Sequence, residues 1–364
     1  MSAIVLNSKS RLLPLVILSG VTLLLGVWPG VGRSQDGSST SAEVAAIVER
    51  VRGGQLTNAT LQDALATGDL LLKEKRYADA AEIFQSVLGR TSNDTRALYG
   101  ASLALFNLGK SAEAEPLAKR AADILTSAVL KPTARVSLEQ RARAADALVL
   151  HAVVQAVRSK DADALKSSGL AVKIAPDHFD AQFTYGRALY STGDMSGAAK
   201  AFRRAVTLKP RDARSLFFLG TTLEKTGDLE GALSSYRQII AIEPQAAEGH
   251  LGIGTLLIRR GGADGEEGIK ELERAVAIDG NLYEARVALG RALLTRGRLT
   301  RAVEHLVRAA ELAPGNPEPH YQLSLAYRRL GLSDKAAQET AAVRRIHEAR
   351  RSPNVNSNAN STPN

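Results

Sequence analysis

Six histidines, His151, His178, His250, His305, His320 and His347, carry most of this chain's capacity for metal or proton chemistry near neutral pH. No two of them stand four residues apart and no His-Glu-x-x-His occurs, so no helix face gathers a ligand pair. Cysteine is absent, which removes disulfides, thiolate metal sites, thiol nucleophiles, haem attachment and a lipid-modified N-terminal Cys. The glycine-rich stretch 261–270 lacks the phosphate-loop spacing and reads as an enlarged turn, and no serine sits in a Gly-x-Ser-x-Gly elbow. Carboxylate pairs such as Glu266-Glu267 fall in turns or on solvent faces, without the burial that acid/base work needs. Asn58, Asn93 and Asn360 head glycosylation sequons, which matter only in a glycosylating host. We therefore expect no catalytic, metal-binding or cofactor-binding residues and no enzymatic activity.

The elements must then position something other than a reaction. Apolar residues make up 45% of the 364 but aromatics only 4%, so the core has to be built from Ala, Leu, Val and Ile, which favours closely packed helices. The formal charge of +9 favours acidic partners or anionic surfaces. Arg203-Arg204, Arg259-Arg260, Arg328-Arg329 and Arg344-Arg345 recur on expected helices, yet no aromatic stacking pattern accompanies them. They read as solvated helix faces, and nucleic acid is not an expected partner.

Along the chain, Lys9 and Arg11 precede an uncharged stretch over 12–28, followed by Pro29, Gly30, Val31, Gly32 and a polar run. This is the order of an export signal, with cleavage after Gly32 or Ser34 both fitting. As a helix the stretch spans about 26 Å, slightly short of a hydrocarbon core of about 30 Å, so cleaved signal and membrane anchor both stay open over residues 1–34. Either way, the basic flank places the rest outside the cytoplasm, in the periplasm or beyond, with a tether through residues 12–28 if the leader is kept. Residues 35–60 form a linker and a capping helix: Thr40 with Glu43 fits a capping box, and Gly53-Gly54 a stop. Residues 351–364 are mostly Ser, Asn and Pro and are expected to form a disordered tail.

Between them the chain repeats itself. Residues 179–212 and 213–246 align without a gap: Gly186 with Gly220, Gly193-Asp194 with Gly227-Asp228, Ala198 with Ala232, Phe202 with Tyr236, Pro210 with Pro244. The same register gives eight repeats, 61–94, 95–128, 145–178, 179–212, 213–246, 247–282, 283–316 and 317–350, the sixth with two additional residues in its 261–268 turn. A sixteen-residue insert, 129–144, is broken by Pro132 and reads as helix from Arg135, lengthening the first helix of the third repeat. Each repeat has two helices, the first stopping at a mid-repeat Gly and the second at Pro. One repeat cannot cover its own apolar face, so stacking is obligatory.

The large and small residues just quoted resemble the tetratricopeptide repeat, whose pattern has large residues at positions 4, 7, 11 and 24, small ones at 8, 20 and 27, and Pro at 32. The resemblance covers nearly all of the chain after the leader. Departures are the missing Trp at position 4, where Gln182 and Arg286 are polar, and the loss of Pro at Ser92, Thr126, Gly280 and Glu348. The resemblance implies an all-α, right-handed superhelical solenoid of antiparallel helix pairs whose first helices line a concave groove through positions 2, 5, 9 and 12. That register assigns Tyr99, Phe106, Phe183, Arg187, Tyr190, Phe217, Arg291, Tyr321 and Arg328 to the groove, where aromatics and arginines are the types enriched at binding hot spots. The competing reading packs Phe183, Tyr190 and Phe217 between neighbouring first helices. The Lys and Asn that chaperone-binding relatives use at positions 5 and 9 are absent, so the expected partner is a peptide or helical segment with apolar anchors and acidic groups. Two functional classes follow: a non-catalytic scaffold or adaptor binding such a segment, or an accessory subunit of an envelope enzyme or assembly complex that positions a substrate or a catalytic partner.

Overall fold

A computed structural model describes residues 41–53, 60–131, 135–262 and 264–351. The leader, Thr40 of the expected capping box, Asn58, Pro132, Asn360 and the tail after Arg351 lie outside the described residues, while Arg351 itself ends the last helix rather than opening the tail. Among those described the secondary structure is entirely helical, and the chain divides into two compact bodies, Met1–Leu208 and Lys209–Asn364.

In the first body, α1 (Ser41–Arg52) packs on the first repeat, whose helices are α2 (Leu61–Lys73) and α3 (Tyr77–Arg90). Then come α4 (Thr95–Asn107) with α5 (Ser111–Val129), α6 (Leu138–Val157) with α7 (Asp161–Ile174), and α8 (Phe179–Thr192) with α9 (Met195–Leu208). The second body holds α10 (Ala213–Thr226) with α11 (Leu229–Ile242), α12 (Ala247–Arg260) with α13 (Asp264–Ile278), α14 (Tyr283–Thr295) with α15 (Leu299–Leu312), and α16 (Pro317–Arg329) with α17 (Ser333–Arg351). Within each body every helix packs on its neighbours in sequence, and each first helix also touches the first helix of the next repeat.

One contact recurs at the centre of these pairs. In five of the eight repeats a bulky residue at position 24 lies against the bare backbone of the position-8 glycine of the same repeat, and in two of these also against a position-6 glycine in the next. Phe84 fits between Gly68 and Gly100, and Tyr236 between Gly220 and Gly252; a Cβ on any of the four would come within 2.6 Å of the ring. Phe202 meets Gly186, Leu272 meets Gly254 and Leu306 meets Gly290 in the same way. Position 20 is alanine with essentially no exposure, as at Ala80, Ala198, Ala232 and Ala302.

Local capping explains where the helices stop. Gly193 and Gly227 end their helices in the left-handed conformation, φ 93° and 87°, a region costly for residues with a Cβ. In the first and third repeats Lys75 and Ser159 hold positive φ without being glycine. Two expectations need correction. The helix foreseen from Arg135 starts at Leu138, because Ser137 and Gln140 form a reciprocal capping box. The 261–268 turn is shorter than foreseen: α13 begins at Asp264, with Asp264, Glu266 and Glu267 facing the positive end of the helix.

The polar residues at position 4 are accommodated. Gln182 donates to the Pro176 carbonyl at 2.8 Å, Arg286 donates to the Gly280 carbonyl, and His250 Nε2 lies 3.3 Å from the Pro244 carbonyl. Each reaches a carbonyl six residues back, in the turn that joins it to the preceding repeat, so the polar side chain has a partner where the family pattern places an apolar one.

The position-20 and position-8 contacts set an energetic test. Ala232→Leu should lower stability by roughly 1–3 kcal/mol, and Ser234→Leu, at an exposed position on the same helix, should change little. Gly220→Ala should also destabilise, whereas Gly89→Ala, where a Cβ would meet nothing within 4 Å, should stabilise by about 0.5–1 kcal/mol. Thermal unfolding of the four variants measures this; equal effects at 232 and 234 would show the register to be wrong.

Candidate functional site

The residues assigned to the groove fall into three environments. Phe106 and Phe183 are buried; Phe183 stacks on Phe179 at 6.1 Å and meets Phe202 edge-on at 5.9 Å, so it serves the interior. Tyr99, Arg187, Tyr190 and Phe217 are half-buried, with Phe217 6.0 Å from the Tyr236 ring. Arg291, Tyr321 and Arg328 are exposed; Arg291 pairs with Glu318 at 3.3 Å, and Arg328 reaches the Thr340 hydroxyl at 3.4 Å. Positions 5 and 12 thus serve both a helix face and the seam between neighbouring first helices, and the size of adjacent residues decides which.

In the first body, Arg187 also lines a small open hollow. Its other lining residues are Ala152, Val153 and Ala156 from α6, Asp161 and Ala164 from α7, and Thr184, Ala188 and Ser191 from α8.

Acidic groups near these residues were not among the sequence-derived candidates. The Tyr99 hydroxyl is pushed well above its ordinary value, first by burial and then by the carboxylates of Asp146, Asp180 and Asp69. Asp69 is salt-bridged to Arg96 at 2.6 Å, yet its own burial raises its pKa. Asp146 faces His178 Nε2 at 3.1 Å. In the second body the Tyr236 hydroxyl donates to Glu224, 3.2 Å away, and Glu224 pairs with Arg259 at 2.6 Å. The signal was available, since Asp69 and Glu224 occupy groove positions 9 and 12, but the selection looked only for aromatics and arginines.

The arginine pairs largely have internal partners. Arg204 pairs with Asp177, Arg260 with Glu230 at 2.9 Å, and Arg329 donates to the Leu294 carbonyl at 2.6 Å. Arg120, Arg204 and Arg308 share position 26, and each reaches position 33 of the preceding repeat, at Asn93, Asp177 and Asn281. Arg344 and Arg345 are exposed.

Histidine chemistry finds little support in the geometry. Ser167 Oγ is 3.5 Å from His151 Nδ1 but donates to Gln155 at 2.8 Å, and His151 Nε2 is buried without a partner, so no carboxylate orients the ring. His250 and Glu271 form a buried pair at 2.6 Å that Arg274 shares. Among the described residues no group of three or more His, Asp or Glu could hold a metal ion.

The tetratricopeptide-repeat family model matches residues 65–128, 133–213, 186–247, 257–317 and 287–350. The chain belongs to the tetratricopeptide-repeat family. No curated protein matches it. Solved structures similar to this repeat protein include a tetratricopeptide repeat protein from Parabacteroides merdae ATCC 43184, at 12% identity and TM-score 0.57, covering 74% of this chain and 99% of that one. Others are pilF of Pseudomonas aeruginosa, at 16% identity and TM-score 0.49, covering 57% and 94%, and MamA from Desulfovibrio magneticus RS-1, at 18% and 0.41, covering 48% and 97%. At 12% identity the first of these supports the helix-pair fold and nothing about ligands. In general, a tetratricopeptide-repeat protein is a scaffold for protein–protein interaction.

Burial lowers the pKa of His151, and of His305, where Arg286 and Arg301 add to it. Below about pH 6.5 the unfolded chain then binds more protons at these sites than the folded one, so stability falls as pH drops. Asp69, whose pKa burial raises, acts in the opposite sense, from about pH 4 upward to its folded-state pKa. The unfolding temperature should therefore decline between pH 7 and 5, and His151→Gln should make that decline shallower; an unchanged slope would show that His151 does not contribute to it.

Proposed function

We propose that this protein is an exported, non-catalytic adaptor that binds a peptide or helical segment of a partner protein along its first helices. The observation that carries this reading is Tyr321, 53% exposed on α16 in a chain with so few aromatics, on the same helix as the exposed Arg328. Half-buried Tyr190 and Arg187 on α8 give the first body a comparable face. Such residues supply large contact area and bidentate hydrogen bonds at small entropic cost, which is why they dominate binding energies. The partner segment carries apolar anchors, with acidic groups opposite the arginines. The acids around Tyr99 set a limit on this and favour a segment that is not uniformly acidic.

Export is supported by the Lys9 and Arg11 flank before the apolar stretch 12–28. Among the described residues no helix is long and apolar enough to cross a membrane, and residues 12–28 are not among them.

Two experiments test the proposal. A periplasm-active reporter fused after Asn364 should be active, and activity only from a cytoplasm-requiring reporter would remove the export claim. For binding, a partner captured from the envelope should lose at least about 2 kcal/mol, roughly thirtyfold, on Arg187→Glu combined with Tyr190→Ala, with little change in unfolding temperature. Unchanged affinity in the folded double variant would place the partner elsewhere. Capture of a stoichiometric enzyme would favour the accessory-subunit reading.

A further inference from the structure

The helices that join the second repeat to the third are longer than those around them. Helix α5 has 19 residues and α6 has 20, against 14 in α3 and in α7, the second helices before and after. The insert over 129–144 forms their junction. Val129 is buried and the Arg141 guanidinium donates to the Ile174 carbonyl at 3.4 Å, so the base of this junction is packed and α6 is tied at Arg141 to the end of α7. Beyond that point Ser137, Leu138, Glu139 and Gln140 are all exposed, which leaves one turn of helix, roughly 5 Å, standing clear of its neighbours. Leu138 is 86% exposed, more than any other large apolar residue described, and Leu130, which ends α5 at the same junction, is 54% exposed. Cations surround the two leucines. Lys131 follows Leu130, Arg135 lies three residues before Leu138, Arg141 three after it, and Lys173 precedes the Ile174 to which Arg141 is bonded. All four are exposed. Carboxylates at this end are engaged elsewhere, Glu139 by Arg143 and Asp177 by Arg204, and among the described residues none pairs with Lys131, Arg135 or Lys173.

We infer that this projecting end is a peripheral membrane contact, in which Leu130 and Leu138 enter the interface of a bilayer whose anionic headgroups are held by Lys131, Arg135, Arg141 and Lys173. Exposed leucines scattered singly are ordinary, and Lys173 also suits the C-terminal end of its own helix. Two leucines at one projecting end, ringed by cations without carboxylate partners, meet the requirement of an interfacial anchor. The shape favours lipid over protein. A protein partner has to meet a convex tip with a ready-made hollow, whereas a bilayer interface deforms around it and accepts side chains to a depth of about 5–10 Å. Two leucines alone hold a bilayer weakly, and each cation near an anionic surface strengthens the contact about fivefold, so the leucines and the charges are both needed. This contact goes beyond the adaptor reading and leaves the first-helix strip open to a protein, since it uses the ends of helices rather than their length.

Because the chain has no cysteine, a single fluorophore can be placed at one chosen residue. In the full chain, Leu138→Cys carrying nitrobenzoxadiazole should be quenched by nitroxide-labelled lipid in vesicles of equal parts phosphatidylcholine and phosphatidylglycerol. The quenching should exceed that in phosphatidylcholine alone, where an inserted leader contributes equally, by at least about twofold. The same label on Ser234→Cys, an exposed position in the second body, should show no difference between the two kinds of vesicle. Salt at about 1 M, where the screening length is about 3 Å, should reduce the phosphatidylglycerol signal to the phosphatidylcholine level, and this arm needs no further variant. Lys131→Glu combined with Arg135→Glu should do the same, and Leu130→Asp should lower the signal at least about twofold. These positions are exposed, so the unfolding temperature should hold in every variant. Quenching at Leu138→Cys that is equal in the two kinds of vesicle, or that survives both salt and the double charge reversal, overturns the inference. Equal phosphatidylglycerol-dependent quenching at Ser234→Cys also overturns it, since that is general adhesion of a basic chain. A fluorescence change at Leu138→Cys on adding a captured partner protein, with no response to vesicles, overturns it in favour of a protein-docking tip.

Discussion

In five of the eight repeats the contact between a bulky position-24 side chain and the bare backbone of a glycine sets how closely the two helices approach. Tyr236, 2% exposed, fills the space that Cβ atoms on Gly220 and Gly252 would occupy, and Phe84 does the same for Gly68 and Gly100. Because Gly252 and Gly100 belong to the following repeat, one ring holds a helix pair together and also fixes the next pair against it. Few aromatics are needed when each serves two interfaces, which is how a chain with 4% aromatics builds an ordered interior. The polar residues at position 4 and the arginines at position 26 add a second link across the same junctions. The arginine links are exposed and individually weak, so they align repeats more than they stabilise them.

The same geometry limits what the first helices can show to a partner. A helix that packs on its own repeat and on both neighbouring first helices within a body has only a narrow strip left over. Phe106 and Phe183 fall on the inner margin of that strip and Tyr321 on the outer one, although all three satisfy the same spacing rule. Charge adds selectivity. The net charge of +9 describes the whole chain, but the surroundings of Tyr99 are acidic and those of Arg187 mixed, so long-range attraction and local preference differ in sign from place to place.

How much was legible in the sequence follows from these packing relations. Helix pairs were legible because Gly186, Gly220, Ala198 and Ala232 recur at fixed spacing, and such spacing has one physical reading. Lys75 and Ser159 were not legible as helix ends, because they take a left-handed conformation that residues with a Cβ do not prefer. The start of α6 was legible in principle, as Ser137-x-x-Gln140, since Val136 and Ser137 are weaker helix formers than the residues that follow. The candidate site was legible as a register and not as a surface: burial of Phe183 depends on Phe179 and Phe202, one of which is on another helix.

Amide hydrogen exchange on Tyr236→Ala tests most directly whether these shared rings govern the stack. The account predicts lost protection in α10, α11 and α12, the three helices that meet this ring, with α2 to α5 protected as in the parent chain. Uniform loss of protection over all helices, or unchanged protection in α12, would contradict it.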